Sequence, residues 1–95
     1  MKKFMFLTYG FKPPTPDMMA AWNKWFEEIK PGIVEMPGLR NGLEISKAGR
    51  SELPLGLESV TGFAIVTAES LEAAERMAQG NPYVTAIRVY ELASR

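Results

Sequence analysis

The stretch from Gly62 to Leu92 constrains the fold more than any other part of the chain. An apolar run, Gly62-Phe63-Ala64-Ile65-Val66-Thr67, leads to Ser70, whose hydroxyl can cap a helix by accepting an N-terminal amide hydrogen. An Ala- and Glu-rich helix follows, with Leu71, Ala74, Met77 and Ala78 on its apolar side. Glu72 and Glu75 fall in its early turns, near the positive end of the helix dipole. Gly80-Asn81-Pro82 stops the helix, and Tyr83 to Leu92 alternates as a strand. Strand, capped helix and strand within roughly thirty residues make a βαβ unit, and such a crossover is right-handed.

The first half of the chain supplies a second unit of this kind. Phe4 to Tyr9 is a short aromatic and apolar run, of the sort buried on both faces, and Gly10 and Pro13-Pro14 end it. Thr15-Pro16-Asp17 is a helix start: Thr as N-cap, Pro in the first turn, Asp at the positive dipole end. The helix is predicted from Pro16 to Ile29, with Met18, Trp22, Trp25, Phe26 and Ile29 in one apolar stripe. Lys30-Pro31-Gly32 terminates it. Pro37, Gly38 and Gly42 interrupt Ile33 to Gly42, so a strand there is short or irregular. Leu43 to Lys47 alternates and is predicted as the second strand, with one polar face. Ala48-Gly49-Arg50 reads as a turn and Ser51 to Glu58, holding Pro54 and Gly56, as a loop or lid. Val60 to Thr67 is the third strand and Tyr83 to Leu92 the fourth.

The order β-α-β-β-α-β is the ferredoxin-like α+β arrangement, an antiparallel sheet with both helices on one face. The 95 residues make one domain, 1–95, and a hydrophobic content of 46% furnishes a core. The second sheet face has no cover within the chain, yet Met5, Leu7 and Tyr9 lie opposite Phe4 and Phe6, and Phe63 and Ile65 oppose Ala64 and Val66. Such a patch is larger than monomers usually expose. A symmetric homodimer with sheets packed together is the expected resolution.

Composition narrows the chemistry. The chain has no Cys and no His, which removes thiol nucleophiles, disulfides, the commonest near-neutral general base and the commonest transition-metal ligand. Basic and acidic residues balance at 11 each with no block of either sign, so neither nucleic acid nor an anionic membrane is an expected partner. Lys2-Lys3 before Phe4-Met5-Phe6-Leu7 resembles a signal peptide only until Thr8 breaks the run, and no cleavage site follows. No stretch is long enough to span a bilayer, and a soluble cytoplasmic protein is expected. Neither a phosphate loop, a dinucleotide fingerprint nor a metal loop is present, so no cofactor is expected.

A few residues remain as site candidates. Arg88 sits mid-strand among apolar residues, on the same face as Tyr90, and a charge on a covered face needs a partner. That partner is either an anionic or carbonyl-bearing ligand or, the reading given more weight, Glu44 on a neighbouring strand or a carboxylate of a second subunit. Tyr9 and Trp22, with Trp25 and Phe26, can border an aromatic pocket, although a stripe at helical spacing is more often core. Asp17 is explained by its place in the first helical turn, and Glu27-Glu28 by a solvated helix face.

Three segments together, Glu69-Ser70-Leu71-Glu72-Ala73-Ala74, Asn81-Pro82-Tyr83-Val84 and Val89-Tyr90-Glu91, resemble the second half of YCII-related (YciI-like) domains. The Trp-x-x-Trp-Phe helix resembles the branch of that family marked by a DGPF motif. The resemblance implies a dimeric α/β barrel built from ferredoxin-like protomers. It also implies an active site pairing a His near the first helix with an Asp in a D-P-Y turn. This sequence departs at both places: Met18 to Trp22 holds no His, and Asn81 stands at the Asp position. The DGPF signature is missing as well, with Glu58 to Phe63 in its place. The expectation is a small homodimeric ligand-binding protein without the acid–base pair, with Tyr9, Trp22, Arg88 and Tyr90 bordering the ligand and Asn81 keeping a turn role. The alternatives are a cofactor-independent enzyme on the same barrel, like its monooxygenases or lactone isomerases, and a module whose sheet face pairs with a different protein.

Overall fold

A computed structural model describes residues 1–93; Ser94 and Arg95 lie outside the described residues. The elements are β1 (Lys2–Tyr9), α1 (Pro16–Ile29), a 3-10 turn (Lys30–Gly32), β2 (Ile33–Glu35), β3 (Gly42–Ser46), β4 (Gly49–Leu53), β5 (Val60–Ala68), α2 (Leu71–Gln79) and β6 (Ala86–Glu91). Four strands form one antiparallel sheet in the order β2-β5-β1-β6. This is the ferredoxin-like order, with the first strand of each βαβ half at the centre.

Local signals set both helix starts. The Thr15 hydroxyl accepts the Met18 amide at 3.2 Å and the Ser70 hydroxyl accepts that of Ala73 at 3.1 Å, each satisfying an otherwise orphaned N–H. Phe4 and Phe6 of β1 and Ala64, Val66 and Ala68 of β5 point to the helix side. There they form one buried cluster with Trp25, Ile29, Ala74 and Ala78. Trp25 also ties the two helices together, because its indole N–H donates to the Met77 carbonyl at 2.7 Å. That carbonyl belongs to the last turn of α2, which has no intrahelical donor to offer it. Leu71, expected on the apolar side of α2, is 50% exposed, whereas Ala74, three residues on, is fully buried.

The middle of the chain differs from expectation. The sheet's second strand is the three-residue β2, Ile33 pairing with Val66 and Glu35 with Ile65, not the predicted Leu43–Lys47. That alternating segment is β3 of a separate two-stranded hairpin whose partner, β4, occupies part of the predicted loop. The turn is Lys47-Ala48, one step earlier than expected, and Gly49 follows with φ +120, a region that Gly enters without a Cβ penalty. Every residue of β3 and β4 is exposed. Alternation in a strand marks one covered face when a core is present. Here the pairing is local, and the same pattern serves a hairpin standing clear of the sheet. The last strand begins at Ala86, three residues later than predicted, because Tyr83 and Val84 turn toward the helix side and Thr85 enters the ladder only by its N–H to the Tyr9 carbonyl, at 3.0 Å.

The sheet face away from the helices carries Met5, Leu7, Phe63 and Ile65, each partly exposed, with Tyr90 51% exposed beside them. Among the described residues, no helix is long and apolar enough to cross a membrane.

Candidate functional site

The site begins with an irregularity in the central ladder. β1 and β5 pair in step as far as Thr8 with Gly62; Tyr9 then faces Val60, which leaves Thr61 as an extra residue. A bulge of this kind frees backbone groups and re-aims the strand, and bulges are common beside binding sites. The Thr61 hydroxyl lies 3.3 Å from the carbonyls of both Thr8 and Gly10 and can donate to either, while the Thr8 hydroxyl donates to the Gly62 carbonyl at 3.3 Å. Beyond the bulge, Gly10 donates to the Ser59 carbonyl at 2.8 Å and Phe11 to that of Gly56 at 2.9 Å. The chain leaving β1 is thereby anchored as it swings toward α1.

Between that swing, the first turns of α1 and the sheet lies a cavity of about 470 Å³. This falls within the roughly 300–1,000 Å³ typical of small-molecule sites. Trp22 and Trp25 form one wall, edge to face with ring centroids 5.7 Å apart, and Phe6 follows at 6.4 Å from Trp25. Met18 of α1, Met36 after β2 and Tyr83 complete an apolar and aromatic lining. Polar residues at the wall are few: Thr8 and Thr61 at the bulge, Asn23, Asn81 and Tyr83, with Tyr9 at its border. Among the described residues, Lys12, an exposed residue, is the one charged side chain at the lining, and no carboxylate belongs to it.

Asn81 is the exception among these polar groups. Its backbone N–H closes the end of α2 on the Ala78 carbonyl at 3.0 Å, the turn role that Asn-Pro favours. The residue is only 5% exposed, and neither Oδ1 nor Nδ2 of its side chain has a hydrogen-bond partner among the described residues. A buried amide left in this state carries an uncompensated desolvation cost of about 1–3 kcal/mol.

The structure thus gathers Tyr9, Trp22 and Asn81 at one cavity and sets two other candidates apart from it. Arg88 pairs across from Leu7 and Tyr90 across from Met5, on the sheet face away from the helices. The Arg88 guanidinium lies 4.7 Å from the Tyr9 ring centroid, a cation–π contact worth about 0.5–1 kcal/mol at an exposed site. Glu44, the expected partner for Arg88, is paired with Ser51 in the hairpin and does not neighbour it. Tyr9 is shared: it borders the cavity and carries Arg88 on its ring. Sequence reasoning missed Thr61 and Met36. A threonine preceding the expected Gly-Phe strand start was the only signal for the bulge, and nothing marked Met36. No group of three or more His, Cys, Asp or Glu side chains that could hold a metal exists among the described residues.

Fold and cavity together define a ferredoxin-like α+β protein with a ligand-sized aromatic cavity on the helix side of its sheet. No family model matches the chain, and no curated protein matches it. Among solved structures, the chain is similar to the 5-chloro-2-hydroxyhydroquinone dehydrochlorinase TftG of Burkholderia phenoliruptrix AC1100, solved in complex with 2,5-dihydroxybenzoquinone. The two are 18% identical, the match covers 96% of this chain and 93% of that chain, and the TM-score is 0.61. A second similar structure is 30S ribosomal protein S6 from Thermotoga maritima, at 13% identity, 96% and 87% coverage and a TM-score of 0.43. The likeness to TftG establishes a shared fold.

Proposed function

We propose that this chain is a small-molecule-binding protein of the YCII-like kind, working as a cytoplasmic homodimer, whose ligand occupies the cavity between α1 and the sheet. The observation that carries this reading is the cavity itself: about 470 Å³, walled by Trp22, Trp25 and Phe6, with a few polar groups grouped at one bulge. Apolar walls with sparse convergent polar groups are the usual form of a small-molecule site. The TftG structure holds a flat ring, 2,5-dihydroxybenzoquinone, on the same fold, which supports a ligand of that general shape here. The homodimer rests on the uncovered face bearing Met5, Leu7, Phe63 and Ile65, an apolar surface that a second copy would bury. In this reading Tyr9 and Trp22 touch the ligand, and Arg88 and Tyr90 belong to the dimer face.

An enzymatic role is the alternative reading. With no His or Cys in the chain and no carboxylate at the cavity among the described residues, proton transfer there would fall to Tyr9, Tyr83 or Lys12. TftG, named as a dehydrochlorinase, shows that the fold can host catalysis, but the lining observed here is built for holding a ring more than for moving a proton.

Fluorescence of the chain's two tryptophans tests the reading, since both line the cavity. Titration with 2,5-dihydroxybenzoquinone and related flat rings is expected to give saturable quenching, weakened about tenfold or more by Trp22→Ala. Quenching that is linear in ligand, or saturable quenching indifferent to Trp22→Ala, would reject the cavity as the site.

A further inference from the structure

We infer that the Asn81 carboxamide is the selectivity group of this cavity. It selects an uncharged planar ligand whose edge presents a hydrogen-bond donor beside an acceptor, as in an aromatic amide or lactam. The inference rests on the binding function proposed above and specifies its ligand class.

Three observations converge on it. First, Asn81 belongs to the cavity wall but is 5% exposed, and both of its side-chain polar atoms lack partners among the described residues and are closed to solvent. Bulk solvent therefore does not reach the amide before any ligand arrives. A partner reaching it recovers hydrogen bonds without a fresh desolvation cost at this group, which is preorganisation. Second, a carboxamide is one acceptor beside one donor group, so its best complement is a ligand edge with the reverse pair. Third, the cavity favours neutrality. Among the described residues its single charged lining residue, Lys12, is exposed and solvated, and no carboxylate stands at the wall, so a charged ligand moving inward would leave water without a buried counter-charge. The edge-to-face Trp22–Trp25 pair adds a ring-shaped wall. Because solvent does not reach the amide in the free chain, the ligand meets it as the wall yields, and association is expected to fall below the diffusion limit.

The competing account is a purely structural amide holding a trapped water. The two are separated by calorimetric titration of the full chain with benzamide, acetophenone and benzoate. Benzamide carries the complementary edge, acetophenone lacks its donor, and benzoate carries a charge. The wild type is expected to bind benzamide about tenfold tighter than acetophenone and to bind benzoate weakest. Asn81→Leu, with Asn81→Ala as a second variant should the first misfold, is expected to bring the benzamide-to-acetophenone ratio close to one. Asn81→Leu should also raise the melting temperature by roughly 4–8 °C, since it removes an unpaired buried polar group. Equal binding of benzamide and acetophenone by the wild type would overturn the inference and leave the cavity as a site. So would a preference that survives both substitutions, or a fall in melting temperature for Asn81→Leu. If no ring in the set binds, and the quinone titration also fails, the binding function falls with it.

Discussion

Trp25 and Trp22 lie on the same helix, α1, one turn apart, and the same substitution at each should have very different consequences. The Trp25 indole donates to the Met77 carbonyl at 2.7 Å, is 2% exposed and packs on Phe6. Phenylalanine at position 25 removes the donor and strands a part-buried carbonyl, at about 1–3 kcal/mol. The smaller ring leaves a void beside Phe6 and Gly80 that adds roughly 1 kcal/mol. The sum, about 2–4 kcal/mol, is a large share of the roughly 5–15 kcal/mol that holds a small domain together. It corresponds to a fall in melting temperature of about 8–30 °C for a chain of this size. Trp22 is half-buried and its indole has no hydrogen-bond partner among the described residues, so Trp22→Phe should cost under about 1 kcal/mol. Urea unfolding followed by circular dichroism measures both, and the slope with urea should stay unchanged. Equal losses at the two positions would refute the argument that one indole joins α1 to the end of α2.

Two further substitutions probe other parts of the account. Gly10 has φ +103 and a Cβ there would stand 2.8 Å from the Thr85 amide nitrogen, so Gly10→Ala should cost at least about 2 kcal/mol in the same urea assay; a loss below about 0.5 kcal/mol would show that the chain leaving β1 is not held as described. Leu7→Lys, on the uncovered sheet face opposite Arg88, should convert a homodimer to monomer in light scattering at micromolar protein, and a wild type that is already a stable monomer would dismiss the dimer.

How much of this was legible in the residues depends on how local each cause is. Thr15 and Ser70 cap helices through bonds to amides within the next turn, so both helix starts could be read directly, and the Met18–Trp22–Trp25–Ile29 spacing told which face of α1 turns inward. The continuous apolar runs of β1 and β5 were equally plain. β2 was not, because three residues show no period, and its place in the sheet comes from pairing with Val66 and Ile65, far along the chain. The hairpin was half read: Leu43 to Ser46 is a strand, but nothing within it says whether its partner is the sheet or the segment that follows. At the site, the aromatic stripe pointed to Trp22. The placement of Arg88 and Tyr90 across the sheet follows from β6 pairing with β1, where Leu7 meets Arg88. The Asn81 turn was readable from Asn-Pro. Its burial was not, since that depends on how the end of α2 packs against Trp25, so closely that a Cβ at Gly80 would stand 3.4 Å from the indole.

The most direct test of the central claim, that the cavity beside α1 is the binding site, is a ¹H–¹⁵N correlation spectrum recorded during titration with 2,5-dihydroxybenzoquinone or benzamide. Saturable shifts are predicted for the Trp22 indole N–H and for the Thr61, Gly62 and Asn81 backbone amides, which surround the cavity, with Tyr90 and Ile45 unmoved. Shifts confined to Arg88 and Tyr90, or none with either compound, would contradict it.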